Sequence, residues 1–499
     1  MRLRNVLLAL LASTALVASA SATPVPLPSG SIRLAGGDRY ATAAAISNAS
    51  FAPPVESVFI ASGLDYPDAL SAGPAAALSD SPVLLVGKGT LNAHTKNELQ
   101  RLNPQKIIIA GGQGAVGADV AAELATYGEV TRWEGPDRYA TAATISARSW
   151  VGSSPVVVLA SGETFADALS GGPAAAQTDA PMLLARNASL PDSTRNELVR
   201  LKPSQVYLLG GTGAISSAVE AAVKTATGAT VTRVSGADRY ETSAAVARQF
   251  WPGGASTMFF ATGLAFPDAV SGTPAAAVNS APIVLTRLDC MPRAVAQLKR
   301  DMNPTTTAIL GGTGVVASSG ATTECVVPGQ YYGSGDDVIP ITKPGGAGSV
   351  AVATISYAGP SNFIVIGLDN RLEWQDLLVN EIGSYSGTVL IPSTVTQLDI
   401  TASGPWTVHV KAMSTVRSFG SGTITGQGDE VVQWTGGNRT VRMNHSGGSN
   451  FIVLGIDAQG EWDDLYVNEI GAYSGTQVVR STSRWLTITA DGPWTMTVQ

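Results

Sequence analysis

GGDRYATAAAIS, residues 36–47, comes back as GPDRYATAATIS at 135–146 and as GADRYETSAAVA at 236–247. The likeness runs on from each copy. FIASGLDYPDALSAGPAAALSDSPVLLV (59–86) returns as VLASGETFADALSGGPAAAQTDAPMLLA (158–185) and FFATGLAFPDAVSGTPAAAVNSAPIVLT (259–286). LNPQKIIIAGGQGAV (102–116) returns as LKPSQVYLLGGTGAI (201–215) and MNPTTTAILGGTGVV (302–316). Self-similarity at a period near 100 residues fixes the architecture more firmly than any single motif. In the first copy the β-rich apolar runs predict strands at 57–61, 83–86 and 106–110, with a further short one ahead of Gly36. Segments of helix length and composition lie between them, such as 68–78 and 91–102. Strands alternating with helices predict a mostly parallel sheet, and the unbroken runs IIIAG and VLLVG predict burial on both faces.

The opening stretch then has a place. Gly36 and Gly37 end a strand, Asp38 caps a helix, and the helix starts at Arg39. Its small residues predict close packing. Asp68 is expected to play a similar capping part ahead of ALSAGPAAA, and glycine pairs at Gly111, Gly210 and Gly311 close a third strand. All three motifs fall at carboxyl ends of strands, where open α/β sheets hold their ligands. Two readings stay open: caps and packing repeat because the fold repeats, or the arginines and aspartates touch a ligand directly. The GxGxxG spacing at 112–117 is lost in the other copies, where Ser216 and Ala317 hold the last glycine position, so its glycines read as turn residues.

The chain has 499 residues, 44% of them apolar and 14% charged, which is the composition of buried globular domains. Its net charge of -7 comes from the tail: residues 1–329 hold 23 basic and 23 acidic side chains, residues 330–499 hold 8 and 15. Neither part has the basic excess of a nucleic-acid binder. Residues 1–22, MRLRNVLLALLASTALVASASA, have the positive start, short apolar run and small-residue cleavage patterns of a secretory signal, cut after Ala20 or Ala22. Cys290 and Cys325 are the only cysteines, and an oxidising compartment favours a disulfide between them. With them, the scattered His94, His409 and His445 have no zinc-site spacing, so no metal or cofactor is expected.

Residues 33–327 resemble three tandem cell wall-binding repeats of type 2, a family of exported and surface proteins of Gram-positive bacteria. The likeness rests on the GxDRYxTA segments, the D-A-L/V-S-x-x-P-A-A-A segments around Asp68, Asp167 and Asp268, and the GG-x-G turns. It implies three α/β units with toprim-like sheets around a pseudo-threefold axis. It also implies non-covalent attachment to the envelope through an anionic wall polymer or a peptidoglycan-linked glycan. The repeats are bounded at 31–129, 130–230 and 231–327. Candidate polymer contacts are Asp38, Arg39, Tyr40, Asp68, Asp137, Arg138, Tyr139, Asp167, Asp238, Arg239, Tyr240 and Asp268, helped by helix N-termini that favour anionic oxygens.

Past Pro328 the composition turns to Gly, Ser, Thr and Val, and 328–335 reads as a linker. Two further copies follow, at 336–413 and 426–499. SNFIVIGLD (361–369) matches SNFIVLGID (449–457), and ITASGPWTVHV (400–410) matches ITADGPWTMTV (488–498). Short β-rich runs broken by glycine predict two sandwich or jelly-roll repeats. Their recurring aromatics read foremost as core between two sheets and their acids as turn residues. The other readings are sugar binding by Trp374, Tyr385, Trp462 and Tyr473, and calcium held by the acids. No catalytic constellation stands out, so the expectation is a secreted, wall-associated, non-catalytic protein with no nucleic-acid partner. The alternative is a surface protein whose tail recognises carbohydrate while the triple repeat is a scaffold; a wall hydrolase is the remote third.

Overall fold

A computed structural model describes residues 24–499; the signal segment lies outside the described residues. The chain divides into two compact units, one ending at Cys325 and one starting at Val326. No helix among the described residues is long and apolar enough to cross a membrane.

The first unit holds three four-stranded parallel sheets. In the first sheet the order is Val83–Val86, Ser57–Ser62, Lys106–Ala110, Glu129–Trp133. The second follows the same plan, with Thr230–Val234 as its outer strand beside Gln205–Leu209. The outer strand of each sheet is thus the segment that leads into the next Asp-Arg-Tyr helix. In the third sheet that place is filled from the other end of the repeat array: Gly30–Leu34 pairs with Thr306–Leu310, Gly30 opposite Thr306 and Leu34 opposite Leu310. The short strand ahead of Gly36 therefore closes the third sheet and not the first, and the folded units are offset by one strand from the sequence repeats. A parallel strand needs a crossover helix before it, and in the first two sheets Ala118–Leu124 and Ser217–Thr227 supply it.

Three helices, Pro67–Leu78, Ala166–Gln177 and Pro267–Val278, each pack against the other two along the pseudo-threefold axis. Equivalent positions Gly73, Gly172 and Thr273 meet there. A Cβ on Gly73 would lie 2.9 Å from Thr273 Cγ2, and one on Gly172 would lie 2.6 Å from Thr273 Oγ1. The axis has room for one side chain in three, so Gly73→Ala is expected to cost about 1–3 kcal/mol by overpacking. Adding Thr273→Gly should recover most of the loss in a thermal melt; a pair that is merely additive would rule out contact at the axis.

The Asp-Arg-Tyr helices, Arg39–Ser50, Arg138–Ser149 and Arg239–Phe250, bridge neighbouring units. Each lies on the edge strand of its own sheet and on the central helix of the unit before it, with the first closing onto the third. The small residues of these helices permit both contacts. The motif comes three times because a ring of three units has three seams.

The third unit ends differently. Its last helix, Ser319–Thr322, is 4 residues long where its counterparts have 7 and 11. Here Cys325 is bonded to Cys290.

The second unit is all-β with two sandwiches. In the first, one sheet has the order Gln330–Ser334, Pro405–Ala412, Ala351–Tyr357, Tyr385–Ile391, and the other Asp337–Pro340, Gln397–Thr401, Asn362–Leu368, Trp374–Ile382. The expected linker is thus a strand in its central part. Gly333 lies under the Trp406 ring, where a Cβ would come within 2.1 Å of Cζ2. Gly426 does the same under Trp494. Both tryptophans are core residues, each 1% exposed.

Candidate functional site

At the seams the repeated motifs converge. Asp38, Asp137 and Asp238 cap their helices by accepting backbone N–H groups of the first turn, among them Ala41, Ala140 and Glu241, each at 2.8 Å. These helix N-termini are therefore already occupied by their own aspartates. Arg39 donates to Gly63 O, Arg138 to Gly162 O at 2.6 Å, and Arg239 to Gly263 O at 2.5 Å. Tyr40, Tyr139 and Tyr240 lie against those same glycines, where a Cβ would come within 2.6–2.8 Å of the ring. In the second and third copies Arg186 and Arg287 cover the tyrosine faces at 4.9 and 5.5 Å. Gly87 stands at that position in the first copy, and Tyr40 is correspondingly more open.

Asp68, Asp167 and Asp268 belong to the neighbouring side of each seam. They are not caps: Pro67 and Pro267 start the first and third central helices, the caps are Tyr66, Phe165 and Phe266, and each aspartate sits inside the first turn. Asp68 faces Arg138 and accepts the Thr141 hydroxyl; Asp167 faces Arg239 and accepts Thr242; Asp268 faces Arg39. Each carboxylate also abuts a glycine of the GG turn. A Cβ on Gly111, Gly210 or Gly311 would lie 2.3 Å from it, and these glycines have φ of 107°, 97° and 96°, so glycine is required twice over. Tyr66, Phe165 and Phe266 cluster with ring centroids 5.4–6.3 Å apart. Arg138 lies over Tyr66 at 5.7 Å.

Burial pushes the carboxyls of Asp68 and Asp268 up to about 6 and that of Asp167 upward; the Thr141 hydroxyl and Arg138 pull Asp68 partly back. A carboxyl whose folded pKa exceeds its unfolded value of about 3.9 is more protonated when folded. Its contribution to stability therefore grows as pH falls from about 6 towards 4. Asp68→Asn is expected to lose that gain, on the order of 1 kcal/mol. The check is the difference in melting temperature between wild type and variant at pH 4.5 and 7; a constant difference would place the carboxyl in water.

The first seam opens as a cleft of about 500 Å³ lined by Asp65, Asp68, Lys88, Gly114, Asp137 and Arg138, among others. Sequence reasoning missed a second arginine set. Arg33, Arg132 and Arg233 each donate from Nη1 to the GG-turn carbonyl, of Gly311, Gly111 and Gly210, at 2.8 Å. Arg33 and Arg132 reach a second carbonyl, of Val316 and Val116. The signal was present, since an arginine recurs six residues before each Asp-Arg-Tyr arginine. The glycines at 112–117 make a turn, with Ala115 and Val116 N–H both on Gly112 O.

In the second unit the aromatics part ways. Trp374 and Trp462 are 64% and 69% exposed on edge strands of their sandwiches, against the core reading. Adjacent exposed residues such as Leu377 and Leu465 leave these faces apolar and uncovered. Tyr385 is buried with its hydroxyl on Asp429 at 2.8 Å, which removes it from contact with a ligand, and Tyr473 is half-buried. Asp369 and Asp457 accept N–H groups within their own turns. Among the described residues no group of three or more His, Cys, Asp or Glu is placed to hold a metal ion.

Three α/β units joined at charged seams define a triple-repeat module. The chain belongs to the cell wall binding domain 2 family, whose model matches residues 33–121, 132–220 and 233–320. It is similar to the N-acetylmuramoyl-L-alanine amidase LytC of Bacillus subtilis (strain 168), 29% identical over 297 residues, 59% of this chain and 58% of that protein. It is also 29% identical to the amidase enhancer of the same organism, over 57% of this chain and 39% of that protein. The chain thus spans about half the length of these curated relatives. Among solved structures, Cwp6 from Clostridium difficile matches with a TM-score of 0.54 and 28% identity, covering 60% of this chain and 48% of that one. Cwp8 from the same organism matches with a TM-score of 0.54 and 26% identity, covering 58% and 50%. Family and neighbours support wall binding and a place at the cell surface.

Proposed function

We propose that this is a secreted, non-catalytic protein held to the cell wall through the seams of its triple repeat. The observation that carries the reading is the cleft of the first seam, where Lys88 and Arg138 stand beside Asp65, Asp68 and the GG turn. Such a mixed set suits a wall polymer with both anionic groups and hydroxyls: the cations take the anions, the carboxylates and turn backbone take the hydroxyls. Charge at this site is local, since residues 1–329 are electrically balanced. Lys88 is exposed, which makes it the cleanest probe. Lys88→Glu is expected to weaken retention on purified walls by about tenfold, the loss of one charge-assisted contact, with an unchanged melting temperature. Full retention by that variant, or by wild type on walls stripped of anionic polymers, would move binding elsewhere.

A second reading is favoured by Trp374 and Trp462, large aromatic faces left in solvent at matching places in both sandwiches. They fit stacking on sugar rings and would give the tail its own carbohydrate partner. Replacing both by Ala is expected to abolish glycan binding by the tail and leave attachment through the triple repeat intact.

A further inference from the structure

The two sandwiches of the second unit are joined by a contact whose two halves each occur twice in the chain and are used once. One half is the edge strand Tyr385–Ile391 of the first sandwich. The other is the turn at Gly428–Asp429 of the second. Tyr385 donates its hydroxyl to Asp429 Oδ2 at 2.8 Å, and Thr388 N–H donates to Asp429 O at 2.9 Å. Gly387 lets the turn approach, since a Cβ there would lie 2.9 Å from Asp429 Cβ. Asp429 is held ready from behind, its Oδ1 accepting Ala490 N–H at 2.9 Å.

The same parts recur at the outer ends. Asp336, in the turn Gly335–Asp336, accepts Ala402 N–H through Oδ1 at 2.9 Å, as Asp429 accepts that of Ala490. Asp336 is exposed where Asp429 is half-buried. The edge strand Tyr473–Val479 repeats Tyr-Ser-Gly-Thr and pairs on one side with Arg439–His445. Its Tyr473, Gly475 and Gln477 are half-buried where Tyr385, Gly387 and Val389 are buried, and Thr476 is exposed where Thr388 is half-buried.

We infer that the strand Tyr473–Val479 is a docking edge for the Gly335–Asp336 turn of a second copy of this chain, which reproduces between molecules the contact that joins the two sandwiches within one. A contact between unlike surfaces does not close on itself after one partner. Copies therefore add head to tail, and an unprotected sheet edge, ordinarily a liability, has a defined partner.

Sedimentation of the full-length mature protein over a range of concentrations tests this. Wild type is expected to show an average mass that rises without a plateau at the dimer. Asp336→Ala removes the carboxylate that the Tyr473 hydroxyl would meet, and Thr476→Glu sets a like charge against the acidic turn at an exposed position. Each is expected to weaken association by about tenfold or more, as loss of a charge-assisted hydrogen bond does. Mixed in equal amounts, the two variants should give a dimer and stop, because one retains a working edge and the other a working turn. A wild type that stays monomeric throughout, or forms only a closed dimer, or keeps growing in both variants, overturns the proposal. Thr476→Glu serves alone if Asp336→Ala disturbs the fold.

Discussion

Deletion of residues 24–35 is expected to unhinge the third α/β unit, although those residues lie at the far end of the repeat array from it. The strand Gly30–Leu34 is the outer strand of the sheet that contains Thr306–Leu310. Without it that strand presents an open edge. Leu34, 6% exposed, loses a buried place worth about 2 kcal/mol. Arg33 loses its bonds to Gly311 O and Val316 O, a further 1.5–3 kcal/mol or so for charged donors. A loss of about 3.5–5 kcal/mol rivals the whole stability of many domains. Because the three units share one hydrophobic cluster, the effect should spread to the seam that closes the ring, where Arg39 meets the third unit's Asp268. Amide exchange at Thr306–Leu310 reports the loss directly, and a synthetic peptide of residues 24–38 added in trans should restore protection. Unchanged protection in the deletion would show that the ring does not need its closing strand.

Removing the disulfide is expected to cost nearly as much. The bond between Cys290 and Cys325 closes a loop of 35 residues, for which chain entropy alone gives about 4 kcal/mol. It stands where the third unit lacks its last helical turns. Around it, Met291 N–H bonds Thr323 O at 2.7 Å and Cys325 N–H bonds Met291 O at 2.9 Å, so the segment is tied by backbone as well as by sulfur. In the other units a longer helix contributes Val120 and Leu124, or Val219 and Val223, to the core. The third has Gly320 and Ala321 in their stead. Double replacement by Ala should lower stability by several kcal/mol and make melting indifferent to reductant, whereas wild type should melt earlier when reduced. Equal melting of oxidised and reduced wild type would leave the bond without a stabilising part.

The sequence is enough to read the number of units, their α/β and all-β character, and the place of the repeated motifs at carboxyl strand ends. Those properties follow from spacing and local patterning. Continuous apolar runs such as IIIAG need burial on both faces, and Asp38, Asp137 and Asp238 cap their helices through local bonds to the first-turn N–H groups. It could not show which sheet a strand joins. Gly30–Leu34 is compatible with any of the three, and only closure of the ring assigns it to the third. It misplaced Asp68 as a cap, because the tertiary contact with Arg138 and Thr141 lies in the next repeat. Trp374 and Trp406 look alike in sequence, yet one is exposed and the other is core. A strand's period of two tells that side chains alternate, and which face meets the second sheet is settled by packing alone. The seams, the single side chain admitted at the axis and the contact between sandwiches arise where surfaces from distant parts of the chain meet, so local patterning does not encode them.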